Sequence, residues 1–141
     1  MIRAMILHAG TAAGPTLKLD APLSLWGGFD PVTGAIIDIH HPQRGRVLTG
    51  HIVLMEESRG SGTAPGAMAE AIRRGTAPLA IILGHADTNL AMGAMVASAL
   101  YGKDCPVLAV TPEDFAKLSG MTALSIAADG GIIPLRPDAR H

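Results

Sequence analysis

The stretch from Ile52 to Leu83 constrains this chain most. It reads as an apolar strand (Ile52 to Met55), a loop of small residues (58 to 66, Ser-Arg-Gly-Ser-Gly-Thr-Ala-Pro-Gly), a helical pattern (65 to 74) and a buried strand (Leu79 to Leu83). Strand–helix–strand units belong to layered α/β structures. A second unit follows, with a helix expected over Thr88 to Tyr101, where Leu90, Gly93, Val96, Ala97 and Leu100 keep the helical period, and a strand over Val107 to Val110. Thr111-Pro112-Glu113-Asp114 then predicts a short helix: Thr111 caps, Pro112 takes the first helical position, and the acids meet the positive helix end.

Outside these units the pattern is of short strands broken by turn signals. Strands are expected at Ile2 to His8, Thr16 to Leu19, Leu23 to Trp26, Ala35 to Asp38, Val47 to Met55 interrupted at Gly50, Thr122 to Ala127 and Ile132 to Leu135. Asp30-Pro31-Val32-Thr33-Gly34 is a turn with a mechanism, since Pro31 presets φ and Gly34 accepts a positive one. A purely parallel sheet is therefore excluded, and one domain over 1–141 is expected: a compact mixed sheet flanked by about three helices, with 136–141 a flexible tail that carries no core signal.

Hydrophobic content of 48% against 16% charge argues for an ordered core, and with two Phe, one Tyr and one Trp that core must be aliphatic. A net charge of −1 offers no basic footprint, so neither nucleic acid nor an anionic membrane is expected as a partner. So little charge on a chain of this size implies apolar surface intended for a protein partner. The single Cys105 cannot make an internal disulfide and reads as a buried small hydrophobe rather than a reactive thiol. The opening Met-Ile-Arg-Ala-Met-Ile-Leu-His is too short an apolar run for a signal-peptide core, and no segment approaches a membrane span; a cytoplasmic location is expected.

The chemistry is expected in the 58–66 loop. Backbone N–H groups at a helix start, with the helix dipole behind them, favour an anion such as a carboxylate or phosphate. Ser61 stands between Gly60 and Gly62, where a substrate can approach the backbone closely, and Arg59 can hold an acid group through a bidentate pair. The alternative is a Gly-rich turn that only feeds a helix. His85 and Asp87, at a strand end facing a helix, are second-rank candidates, although Asp87 also suits the role of helix cap. Glu56 and Glu57 read as a solvated strand end before an acid/base pair. His40-His41 read as a loop or surface pair, because adjacent residues on a strand point to opposite faces and would not converge on one metal. Trp26, beside Gly27-Gly28, is either an anchor under a turn or the rim of a site. Met68, Met92 and Met95 suit core or contact surface.

Several motifs taken together resemble a known family: Leu-Ser-Leu-Trp-Gly-Gly-Phe-Asp-Pro-Val-Thr-Gly (23 to 34), Ile-Ile-Asp-Ile-His-His-Pro (36 to 42), Ser-Arg-Gly-Ser (58 to 61), Ala-Ile-Arg-Arg-Gly-Thr-Ala-Pro-Leu-Ala-Ile-Ile-Leu (71 to 83) and Met-Gly-Ala-Met-Val-Ala (92 to 97). In this order they resemble the swivelling small subunit of aconitase X-type dehydratases, from about residue 2 to residue 127. The resemblance implies a swivelling β/β/α domain with a barrel-like sheet, and an aconitase-like large subunit that holds the iron or iron–sulfur cluster, this chain binding none. It implies a hydro-lyase acting on cis-3-hydroxy-L-proline or a similar small carboxylate, or alternatively on mevalonate 5-phosphate. By position it makes Ser61 the proton acceptor, with Thr63 and the amides of Gly60 and Gly62 then holding the substrate's acid group and Arg59 placed to stabilise the serine anion or to bind that acid. Relatives continue with further serines, whereas Gly62 to Gly66 follow here, so contacts made by those serines do not carry over. Two further readings stay open: a non-catalytic anion-binding or interaction module, and phosphohistidine carriage, which needs an exposed His40 or His41.

Overall fold

The computed structural model describes residues 1–57 and 64–135. Within them lie eight strands and four helices: β1 (Ile2–Arg3), β2 (Met5–His8), β3 (Ala12–Lys18), α1 (Leu25–Gly28), β4 (Ile52–Met55), α2 (Ala64–Arg74), β5 (Ala80–Leu83), α3 (Thr88–Tyr101), β6 (Val107–Ala109), α4 (Pro112–Ser119), β7 (Ala123–Ile126) and β8 (Gly131–Pro134). The 136–141 tail lies outside the described residues.

The strands form one mixed sheet in the order β1-β8-β7-β3-β4-β5-β6-β2. Strands β3 to β6 run parallel, and the remaining pairings are antiparallel. The two ends of that order, β1 and β2, are consecutive in the chain and separated only by Ala4, so the sheet must curl until its ends nearly meet. Ala4 donates its N–H to the Gly130 carbonyl at 2.9 Å and turns the chain from one end of the sheet to the other. This divides the single strand expected at 2 to 8. A second corner lies in β3, which pairs with β7 through Ala12–Pro15 and with β4 through Thr16–Lys18. Its first half was not legible in Ala-Ala-Gly-Pro, which carries no strand propensity.

Strands β4 and β5 are buried on both faces, which is why they read as unbroken apolar runs. Val53, Met55, Ile81 and Leu83 pack with Met68, Ala71 and Ile72 of α2 and with Leu90, Ala91 and Ala94 of α3. The opposite face, with Ile52, Leu54 and Ile82, packs with Phe115 and Leu118 of α4 and with Leu124, Ile126 and Ile132 of β7 and β8. Helices α2 and α3 touch at Gly93, where an added Cβ would meet the Pro65 carbonyl oxygen and lie 2.6 Å from the Met68 Cβ.

Three expectations in the first half are corrected. Leu23 to Trp26 does not form a strand: Leu25 to Gly28 winds into one turn of helix, and Gly27, which an alternating strand would bury between Leu25 and Phe29, is exposed and takes φ +84°. Ala35 to Asp38 makes only the isolated bridges Phe29–Ile36 and Ala35–Val47. Of Val47 to Met55 only Ile52–Met55 is strand, because the chain turns at 49–50. The Asp30–Gly34 turn forms as expected. The Asp30 carboxylate accepts from the Val32 N–H (2.9 Å) and the Thr33 hydroxyl (3.0 Å), bonds that hold its pKa below the ordinary value, and Gly34 takes φ +79°.

Candidate functional site

Strands β3, β4, β5 and β6 are parallel neighbours, so their C-terminal ends share one edge of the sheet, and β4, β5 and β6 each lead from it to the start of a helix. Such an edge is where open α/β sheets place ligands. The pairing continues past the strand ends, with Gly84 N–H bonded to the Met55 carbonyl at 3.2 Å and Val110 N–H to the Leu83 carbonyl at 2.9 Å. The floor of the edge is therefore held to its outermost residues.

A cleft of about 520 Å³ opens there, walled by Lys18 from β3, Glu56 and Glu57 after β4, Gly84 and His85 after β5, and Phe115 of α4. At Gly84 a Cβ would lie 3.3 Å from both the Glu56 carbonyl oxygen and the Phe115 ring, so any side chain would disturb this wall. A groove of about 250 Å³ shares Lys18, Glu56 and Glu57 and runs on along Leu19 to Pro22. The lining combines one ammonium, two carboxylates and an imidazole, a set suited to a small, strongly polar molecule.

Helix starts at this edge are capped as the sequence predicts. Asp87 accepts from the Asn89 N–H at 2.9 Å, so its observed part is that of N-cap to α3. Thr111 accepts from the Asp114 N–H at 3.1 Å, and Pro112 opens α4. Among the second-rank candidates, His85 is exposed and faces the cleft. Trp26 belongs to the backbone of α1, and its ring lies outside the described atoms. Arg59, Gly60, Ser61, Gly62 and Thr63 also lie outside the described residues; in the chain they join Glu57, on the cleft wall, to Ala64, which opens α2.

Sequence reasoning missed Lys18 and the groups that place it. Gln43 uses its side-chain amide as a substitute strand, donating from Nε2 to the Lys18 carbonyl (2.9 Å) and accepting at Oε1 from the Asp20 N–H (2.8 Å). His41 stands in a turn, not on a strand, so face alternation does not apply to the His pair. Its ring is buried, Nδ1 accepts from the Gln43 N–H at 3.0 Å, and Nε2 therefore carries the proton donated to the Ala21 carbonyl at 3.0 Å. Both ring nitrogens are committed, so His41 cannot serve as a phosphate carrier; it ties the 38–46 turn to the groove wall. Cys105 is buried and donates its thiol to the Pro78 carbonyl at 3.3 Å, and burial pushes its pKa up to about 12, which makes it the inert small hydrophobe expected. Among the described residues no three His, Cys, Asp or Glu side chains gather to hold a metal ion, and no helix is long and apolar enough to cross a membrane.

Comparison with known proteins accounts for this architecture. The chain is 40% identical over 133 residues to the cis-3-hydroxy-L-proline dehydratase of Pseudomonas aeruginosa, a match covering 94% of this chain and 22% of that protein. It is 31% identical over 124 residues to the phosphomevalonate dehydratase small subunit of Thermococcus onnurineus, covering 88% of this chain and 89% of that subunit. The chain thus spans about a fifth of the length of the first relative and most of the second. The crystal structure of Thermococcus kodakaraensis aconitase X in its holo-form superposes with a TM-score of 0.80 at 26% identity, over 95% of this chain and 97% of that one. The aconitase X swivel domain model matches residues 1–135, and the chain belongs to that family.

Proposed function

We propose that this chain is the swivelling component of a hydro-lyase and works against a larger aconitase-like partner, with the substrate enclosed between the partner and the strand-end cleft. The observation that carries the reading is the junction of β4 with α2. There the segment 58–63, which carries Ser61 and its flanking glycines, joins Glu57 on the wall of a polar cleft to Ala64 at the start of a helix whose dipole favours an anion.

In this reading Ser61, as the alkoxide, takes the proton adjacent to the substrate's acid group as the hydroxyl on the neighbouring carbon departs. Amide donors of the loop and the Arg59 guanidinium stabilise the alkoxide before transfer. Gly60, Gly62 and Thr63 hold the acid group and fix the carbon that loses its proton. An iron or iron–sulfur centre on the large partner supplies the Lewis acidity that loosens the leaving hydroxyl. Closure of the swivelling domain excludes water from the cleft.

The substrate we favour is cis-3-hydroxy-L-proline or a similar small 2-carboxylate. Supporting this are the 40% identity to the Pseudomonas aeruginosa enzyme and the mixed lining of the cleft, where Lys18 can meet a carboxylate and Glu56 and Glu57 an ammonium group of the same small molecule. Mevalonate 5-phosphate is the second reading, supported by the 89% coverage of the Thermococcus onnurineus subunit.

The test is anaerobic co-expression with a candidate large partner, purification through a tag on this chain, and assay for dehydration of both compounds. Ser61→Ala is expected to leave the complex intact and lower kcat by about 10²–10⁴-fold. Retained turnover in that variant removes Ser61 from the mechanism. An intact wild-type complex that turns over neither compound points to a third substrate, whereas a chain that captures no large partner leaves the anion-binding module as the better reading.

A further inference from the structure

Helix α3 carries no charged side chain over its 14 residues, Thr-Asn-Leu-Ala-Met-Gly-Ala-Met-Val-Ala-Ser-Ala-Leu-Tyr. Leu90, Ala91, Gly93, Ala94 and Ala97 face the domain core. Met92, Met95, Val96, Ala99 and Leu100 are exposed, Leu100 by 67% and Met95 by 54%. Their spacing is i, i+3, i+4, i+7, i+8, one continuous stripe along the outer face of the helix. A helix that is apolar all round belongs in an interior, yet α3 covers only one face. The helical period placed Val96 and Leu100 with the core, and the structure puts both outside: with apolar residues on every side, periodicity cannot tell the buried face from the exposed one.

We propose that this α3 stripe is the surface by which the domain docks on the larger aconitase-like component of its enzyme, an inference that rests on the functional reading above. Two observations select that occupant. In the Pseudomonas aeruginosa relative the matched part is 22% of the protein, so about four fifths of that chain lies outside this domain and supplies a body large enough to cover the helix. A second copy of this chain is too small a cover. A 14-residue helix is about 21 Å long, and two such stripes crossing bury a few hundred Å² per partner, short of the roughly 800 Å² of a stable interface. The larger component can cover the stripe and continue to the strand-end cleft, which lies at the N-terminal end of the same helix.

The experiment uses the full chain co-expressed with the candidate large partner, comparing wild type, Met95→Lys/Leu100→Lys, and Ile39→Lys on the separate 38–46 turn. Both stripe positions are exposed in the isolated domain, so its circular dichroism and melting temperature are expected to stay at wild-type values. Affinity for the large partner, read by biolayer interferometry, is expected to fall by about 100-fold or more in the stripe variant and to stay unchanged in Ile39→Lys. A stripe variant that binds as tightly as wild type overturns this assignment and leaves the hydro-lyase reading standing. A wild-type chain that captures no large partner removes both. If sedimentation shows the isolated wild-type chain to be a dimer that the stripe variant dissociates, while partner binding is untouched, the occupant is a second copy and the proposal fails.

Discussion

At the residue scale, single side chains in this protein act mainly by completing hydrogen bonds for segments far away in sequence. His41 and Gln43 together give the 18–21 segment the partners a neighbouring strand would have given it, and so place Lys18 on the cleft wall. Neither role was legible beforehand, since a polar residue in a turn gives no sign of which distant backbone it will meet. A local cluster was more accessible. Glu70 receives a two-pronged bond from Arg73 (2.8 and 2.7 Å) and a third from Arg74 (2.7 Å), all at helical spacing along α2. The Arg73 hydrogen bonds, then those of Arg74, pull the Glu70 pKa from 4.5 to about 2. A carboxyl whose pKa is lowered by folding stabilises the fold above its unfolded value, so this contribution is present above about pH 4.5 and is lost as pH falls toward 2. Carbon-detected titration of the Glu70 carboxyl is expected to give a midpoint near 2 at low salt, rising in 1 M salt as screening sets in. In Arg73→Gln/Arg74→Gln the midpoint is expected to return toward 4.5; a wild-type midpoint already there would show the cluster to be loose in solution.

At the scale of elements, the second half of the chain was read almost as it stands. The α3 bounds coincide with the expectation, α2 and α4 begin within a residue of it, and the caps Asp87 and Thr111 hold. These signals are local: a cap bonds a backbone two or three residues on, and a strand buried on both faces must be apolar throughout. The α2–α3 contact was half legible, since Gly93 kept the helical period while giving no sign that a backbone would touch it. Gly93→Ala is expected to destabilise by about 1–3 kcal/mol, because the new methyl meets the Pro65 carbonyl, which cannot swing aside as a side chain can. Thermal unfolding checks this. Since Pro65 lies in the first turn of α2, just after the 58–63 segment, the substitution is also expected to lower activity of the assembled enzyme. A melting temperature at the wild-type value would mean the helices separate at little cost.

At the scale of the whole molecule, closure of the sheet depends on the corner where Ala4 meets Gly130. Gly130 takes φ +87°, and a Cβ there would lie 2.9 Å from the Ala4 carbonyl oxygen and 3.1 Å from Ile6 Cγ1. Gly130→Ala is therefore expected to cost about 1–3 kcal/mol. It is also expected to speed hydrogen exchange at the Ala4 amide far more than at Ile82 in the centre of the sheet. Equal acceleration at both sites would show that the corner opens only with global unfolding.

The sequence by itself determined the mixed α/β class, the aliphatic core, the order of β4 through α4 and, through the motifs at 23–34, 58–61 and 71–83, the family. Each depends on the composition of a short window or on a pattern of near neighbours. Tertiary structure alone decided that residues 2 to 8 serve two ends of one sheet, that Leu25 to Gly28 winds into a turn of helix, that Lys18 joins the cleft, and that the outer face of α3 stays uncovered. Those outcomes depend on pairings between strands distant in the chain, which no local window contains, and on which of several apolar faces the rest of the fold is large enough to cover.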